Sequence, residues 1–207
     1  MAEADRPSPE QIVLYEKDPA TKIATITLNR PDALNAPTIA ARLRFADLVH
    51  RANIDDEVKV LVIRGEGKHL GSGADLPEQS DMLNPDSDMS LLKEFKIEDD
   101  GSVKYPPAGS YRFLGSITNL YANSEYGCRS LQDFKKISIL ECKGYVYGWH
   151  FYLAGDADIV ISSDEALFGH AAFRYVGWGP RMWQWAEMMG VRRFMEMVFT
   201  GRPFTAQ

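Results

Sequence analysis

The sequence predicts an α/β fold, and three observations predict it. Two β-rich runs near the start are joined by a turn signature, a strand–helix–strand order follows at once, and two buried strands end in glycine-rich corners. The 207 residues suit one domain with a substantial core.

Taken in order, residues 1–10 are polar and acidic and read as a disordered arm, with residues 11–207 as the core. Ile12 to Tyr15 and Ile23 to Leu28 are β-rich, and Lys17-Asp18-Pro19-Ala20 between them makes a hairpin turn. Asn35-Ala36-Pro37-Thr38 is a helix start, and Ala41, Phe45, Leu48 and Ala52 recur at helical spacing, so the helix runs to about Asn53. Val58 to Ile63 is a buried strand, and Gly65 to Leu76 a glycine-rich loop. From about residue 78 to 110 the chain is polar and aperiodic, which predicts a surface excursion or lid. A helix over about Tyr111 to Lys135, a strand at Ile137 to Cys142, a short helix at Trp149 to Ala154 and a strand at Ala157 to Ser162 follow. Arg181 to Met189 and Val191 to Phe199 are helical, broken by Gly190.

The composition is that of an ordinary soluble globular protein, 45% hydrophobic and 25% charged. A net charge of −6 argues against general nucleic-acid binding, which draws on clustered positive charge. Cys128 and Cys142 form neither a disulfide framework nor a zinc spacing, which fits a reducing cytoplasm. The most apolar uncharged stretch, Gly144 to Gly155, falls short of the roughly 18 residues of a membrane span. MAEADRPSPE has no apolar core of a signal peptide, so a cytoplasmic location with no membrane partner is expected.

The chemistry is expected at the two corners. The first follows Val60 to Gly65 and contains Gly71-Ser72-Gly73-Ala74-Asp75-Leu76; the second follows Ile137 to Lys143 and contains Gly144 and Gly148 before a helix start. Glycine allows a sharp turn that bares backbone N–H groups, and a helix N-terminus adds unpaired donors. Two such donors converging on one oxygen stabilise a developing oxyanion. Gly71-x-Gly73 is not a dinucleotide fingerprint, because the third glycine and the surrounding βαβ unit are missing.

These residues also carry a resemblance. Asn29-Arg30-Pro31 with Leu34-Asn35-Ala36, the loop Lys68 to Leu76, the turn Lys143 to Gly148, then Asp158 to Ser162, Phe168-Gly169, Gly177-x-Gly179-Pro180 and Thr200-Gly201-Arg202 resemble, in order, the motifs of the enoyl-CoA hydratase/isomerase (crotonase) family. The resemblance covers nearly the whole chain from Ile12 and implies a crotonase (ClpP-like) ββα spiral with flanking helices. It implies an acyl-CoA thioester as substrate rather than a bound cofactor or metal. The thioester oxygen would rest on the amides of Ala74 and of Trp149 or its neighbour Gly148. Arg30, Leu34, Asn35, Ala36, Gly73, Asp75 and Leu76 would line the substrate, with Lys22, Arg30 and Lys68 as phosphate partners. A homotrimer or hexamer is also implied.

The chain departs from that pattern where the family carries two glutamates. Tyr152 stands at the first position and the second falls in Ala171-Ala172; Trp149 and His150 replace two glycines. Hydration needs an acid and a base, and without either carboxylate ordinary enoyl-CoA hydration is not expected. His150, Tyr152 and His170 fall in the segments that line the resembled family's acyl pocket and are the candidates to handle protons instead. His50 and His69 read as structural or exposed, and Asp156 and Asp158 as caps. Arg174, Trp178, Trp183 and Trp185 would shape an acyl pocket or an oligomer face. The sequence stops at Thr205-Ala206-Gln207, where the resembled family continues into C-terminal helices, so those helices are expected to be missing. The leading expectation is an enzyme with a thioester enolate; the alternatives are C–C hydrolysis of a β-diketone and a catalytically silent acyl-CoA-binding or assembly subunit.

Overall fold

The computed structural model describes residues 7–83, 96–97, 100–101, 103–104, 129–170 and 183–207. Within them lie α1 (Pro9–Ile12), β1 (Val13–Asp18), β2 (Ile23–Leu28), α2 (Ile39–Ile54), β3 (Val60–Gly65), α3 (Leu76–Leu83), β4 (Lys96–Ile97) and β5 (Val103–Lys104). After these come β6 (Ile137–Cys142), β7 (Tyr145–Tyr147), α4 (Trp149–Asp156), β8 (Ile159–Ser162), β9 (Leu167–Gly169), α5 (Trp183–Met189), α6 (Val191–Thr200) and β10 (Phe204–Thr205).

The predicted hairpin forms. Asp18 accepts from the Ala20 N–H and the Thr21 hydroxyl, and Lys22 turns the chain at φ 59°, so β1 and β2 pair antiparallel with Tyr15 opposite Ile26. β2 then pairs in parallel with β3, β3 with β6 and β6 with β8, giving the order β1-β2-β3-β6-β8. Alternate residues of these strands, Ala24, Ile26, Leu28, Leu61, Ile63, Leu140 and Cys142, are buried. The buried stripe of α2, which includes Ala41, Phe45, Val49 and Ala52, joins them in one core. Thr38 caps α2 by accepting the Ala41 N–H at 3.1 Å. Ser138 and Asp158 brace the start of β8, where Asp158 accepts both the Ser138 N–H and its hydroxyl, so Asp158 is a structural cap as expected.

A smaller sheet, β7-β9-β10, stands beside the first. It matters because Gly71, in the loop after β3, bridges to Val146 at the start of the second corner. The two glycine-rich segments are therefore joined by main-chain pairing.

Three expectations need correction. Residues 9–12 are a helical turn, with the Gln11 side chain accepting the Ser8 N–H at 2.9 Å, so the disordered arm does not reach residue 10; residues 1–6 lie outside the described part. The polar excursion does not start at 78: Asp75 accepts the Glu78 N–H at 3.0 Å and starts α3, which continues to Leu83. The helix expected to end at Lys135 is described only at its end. There Ser130–Asp133 is a 3-10 turn and Phe134 is extended, because Asn53 accepts the Lys135 N–H and the Lys136 ammonium donates to the carbonyls of Ala52 and Asp55. Ala171, Ala172, Arg174, Trp178 and the Gly177-x-Gly179-Pro180 segment lie outside the described residues.

At the end of α4, Asp156 meets Arg129 in an ion pair from which both side chains are wholly excluded from water. Asp156 accepts from Arg129 at 2.6 and 2.5 Å and from Gln132 at 3.1 Å, while Gln184 of α5 accepts from Arg129 at 2.9 Å. This network fastens α4 to α5. Removing one member strands the other charge in the core. Asp156→Ala is expected to lower the unfolding free energy by about 3–5 kcal/mol in urea titration; a change below about 1 kcal/mol would show that the pair contributes little.

Candidate functional site

The two glycine corners meet. A Cβ placed on Gly148 would stand 2.9 Å from the Gly73 Cα and 3.9 Å from the Ala74 nitrogen. Gly148 turns at φ 59°, ψ −118° and Gly73 at φ 110°, conformations that side-chain-bearing residues rarely adopt. Main-chain bonds fix the approach: Leu70 N–H donates to the Lys143 carbonyl, Gly71 N–H to Tyr145, and Tyr147 N–H to Gly71, at 2.8, 2.8 and 3.0 Å.

Most corner amides have acceptors. Ser72 N–H donates to the Leu34 carbonyl, Gly73 N–H to His150 Nδ1, Asp75 N–H to the Pro37 carbonyl and Gly148 N–H to the Gly169 carbonyl. The Ala74 and Trp149 N–H groups have no acceptor among the described residues. Trp149 opens α4, where orphan N–H groups and the positive end of the helix dipole coincide. Of the two donors read from the second corner, Trp149 is the open one and Gly148 is occupied.

The Trp149 side chain does not intrude. It is 1% exposed and packs edge-on against Phe45 of α2, with ring centroids 5.0 Å apart.

Residues read as substrate-lining mostly brace the first corner. Leu34 and Asn35 both adopt left-handed backbone, at φ 52° and 54°. Asn35 accepts the Arg30 N–H at 2.8 Å, and its amide donates to the carbonyls of Glu66 and His69, each at 2.9 Å. Arg30 Nη1 donates to the Ala36 carbonyl at 2.9 Å and to the Asp75 carboxylate at 2.5 Å. Glu78, one turn further, accepts the Ile39 N–H at 2.8 Å. A chain of polar contacts thus runs from Arg30 through Asp75 and Glu78 to the start of α2. Lys22 pairs with Glu57 at 3.3 Å, whereas Lys68 and Leu76 are exposed.

Two histidines interlock the corners. His69, on the first loop, accepts the Tyr145 N–H at 3.0 Å and stacks on Tyr145 with centroids 4.3 Å apart. A Cβ on Gly144 would stand 2.2 Å from its Nδ1, so Gly144 makes room for it. His150, on the second corner, reaches the other way. A Cβ on Gly71 would stand 2.1 Å from its ring, which is fully buried. The sequence carried a signal for this in two histidines facing two glycines, but spacing alone does not reveal which loop reaches which.

Tyr152 and His170 lie together. Tyr152 is 4% and His170 9% exposed, and their rings meet edge to face at 5.2 Å. The Arg129 guanidinium lies over the Tyr152 ring, 5.4 Å from its centroid. Burial pulls the pKa of His150 and of His170 down to about 4, so both rings are neutral near pH 7. Burial lifts the Cys142 thiol to about 12, which leaves it inert. Among the described residues no cluster of His, Cys, Asp or Glu could hold a metal ion, and no helix is long and apolar enough to cross a membrane.

The histidine shifts set a pH dependence. The unfolded chain takes up protons on these rings below about pH 6.5, whereas the folded chain does so only near 4. The associated stability is complete above pH 6.5 and disappears as pH falls to 4, by about 3 kcal/mol for each ring. Denaturant titrations at pH 7 and pH 4.5 should show this loss, and it should shrink in the His150→Asn/His170→Asn double variant. Equal pH slopes for the variant and the parent would refute the assignment.

No protein-family model matches the chain. It is 24% identical over 199 residues to a Mycobacterium tuberculosis protein named as an enoyl-CoA hydratase, covering 95% of this chain and 59% of that one. It is 26% identical over 198 residues to the trans-2-decenoyl-[acyl-carrier-protein] isomerase of Streptococcus mutans, covering 94% and 64%. A crystal structure described as a probable enoyl-CoA hydratase of Mycobacterium smegmatis superposes with a TM-score of 0.71 at 26% identity, covering 94% of this chain and 66% of that one. The chain therefore spans about three fifths of the length of the curated relatives it matches. The chain has the crotonase fold, and its homologues and structural neighbours are members of the enoyl-CoA hydratase/isomerase family.

Proposed function

We propose that the protein is an enoyl-CoA hydratase/isomerase-like enzyme that binds an acyl-CoA thioester and stabilises its enolate between the Ala74 and Trp149 amides. One observation carries this reading: two N–H groups without acceptors among the described residues stand at glycine corners in van der Waals contact. Donors fixed before the reaction stabilise developing charge without reorganising, and losing one such donor typically costs about 10²–10³ in rate. The relatives named as hydratase and isomerase support the reaction class.

Tyr152 and His170 are the proton-handling groups of this reading. A neutral imidazole can accept a proton, and a phenol can return one to an enolate carbon. His150 does not share that role, because its ring is wholly enclosed against Gly71. The pair replaces two carboxylates with groups that are neutral when resting, which suits proton shuttling at carbon better than activation of water.

The test is a panel of acyl-CoA thioesters, enoyl, saturated and β-diketone, assayed for binding by calorimetry and for turnover. Tyr152→Phe and His170→Ala are expected to lower kcat by about 10²–10⁴-fold with binding retained. Binding with no turnover of any substrate class would instead establish a silent acyl-CoA binder. Absence of CoA-thioester binding would sink the proposal.

A further inference from the structure

The Ala74 N–H can act as an oxyanion donor only while the loop keeps it aimed. Ala74 follows two residues, Ser72 and Gly73, in a loop without regular structure, and Gly73 sits at φ 110°. A glycine at such an angle has a shallow energy surface, so its flanking peptides rotate unless something holds them. Ser72 N–H is held by the Leu34 carbonyl at 3.0 Å. Gly73 N–H is held by a side chain, His150 Nδ1, at 3.2 Å.

We infer that His150 is a positioning residue, acting as a neutral, Nε2-protonated imidazole whose Nδ1 accepts the Gly73 N–H and fixes the Ser72–Gly73 peptide; with the Asp75 N–H held by the Pro37 carbonyl on the other flank, the Gly73–Ala74 peptide between them is kept with its Ala74 N–H facing the ligand. This rests on the reading of Ala74 as an oxyanion donor.

The geometry limits the alternatives. Nδ1 lies 3.2 Å from the Gly73 nitrogen and 3.3 Å from the Tyr147 carbonyl oxygen, and a single ring nitrogen cannot accept from one and donate to the other. A proton on Nδ1 would serve Tyr147 and leave Gly73 N–H unpaired in a buried site, at a cost. A proton on Nε2 satisfies Gly73. This tautomer leaves its own Nε2–H without a hydrogen-bond partner among the described residues, and what selects it is the Gly73 N–H, aimed at Nδ1 from 3.2 Å. The ring cannot swing away. It is fully buried, Trp149 packs against it at 5.1 Å between centroids, and the missing Cβ of Gly71 is the space it fills. Gly71 and His150 are thus one steric unit: any side chain at 71 collides with the ring.

The experiment reads both levels. Hydrogen exchange of the Gly73 amide, by NMR, reports the bond itself without any ligand. The carbonyl signal of butyryl-CoA labelled with ¹³C at C1 reports polarisation by the oxyanion donors. His150→Ala is expected to speed Gly73 exchange by about tenfold or more, the equivalent of one lost buried hydrogen bond, and to reduce the carbonyl shift while leaving most of the thioester affinity. His150→Asn can place its amide oxygen near the position of Nδ1 and is expected to restore both. A second variant separates positioning from packing. Gly71→Ala should destabilise the parent, whereas Gly71→Ala/His150→Ala should recover stability by filling the space the ring left, yet keep fast Gly73 exchange and a weak carbonyl shift. Unchanged Gly73 exchange in His150→Ala overturns the inference whatever the ligand does. Fast exchange with a full carbonyl shift overturns the positioning role. No carbonyl shift in the parent, with Gly73 exchange behaving as expected, overturns the oxyanion reading beneath it and the catalytic part of the inference with it.

Discussion

The close approach of Gly73 and Gly148 is the constraint on which the rest of the site depends. A methyl group on Gly148 would press 2.9 Å from the Gly73 Cα, whereas one on Gly73 would meet the Gly148 Cα at 3.5 Å and is disfavoured there by the backbone, at φ 110°. The Ala74 nitrogen lies 3.9 Å from the methyl position on Gly148. Main-chain pairing through Gly71 sets the distance, because a hydrogen-bonded ladder fixes two backbones to a few tenths of an ångström.

Around that ladder the protein uses side chains as braces where many loops would rely on secondary structure. Asn35 ties the Glu66 and His69 carbonyls together, and Arg30 holds Asp75, whose other oxygen starts α3. His69 and His150 cross in opposite directions, each seated over a glycine of the opposite segment. Imidazole suits this task. Its slim ring fits the space a glycine leaves, and a ring nitrogen can present a lone pair to a backbone N–H. A lysine or arginine could only donate there, and a carboxylate would carry a charge into a dry interior.

The bulky residues of the second corner follow the same logic. Trp149 directs its indole into the core beside Phe45 and contributes only its backbone to the corner. The Arg129–Asp156 pair holds the far end of α4, so the helix whose N-terminus opens the corner is anchored at both ends. The buried charge pair costs desolvation but leaves little freedom in how α4 sits against α5.

Much of the architecture was legible in the sequence. The hairpin, α2, β3, β6, α4 and the Gly190 break between α5 and α6 follow from periodicity and turn chemistry, which are local properties of consecutive residues. The importance of two glycine corners was equally visible, because glycine after a buried strand constrains the backbone wherever it occurs. Sequence did not reveal that Asp75 starts a helix inside the polar stretch, since a side-chain cap acts through one hydrogen bond and leaves little periodic trace. Nor did it reveal that Arg30 and Asn35 brace the loop, or that His150 lies beneath Gly71. Those facts depend on contacts between residues 31 to 79 positions apart, made only when parallel strands bring the corners to the same end of the sheet. The chain alone determined which elements form and where the backbone must turn. Tertiary packing decided which amides are left open, because that depends on every acceptor the fold brings within reach.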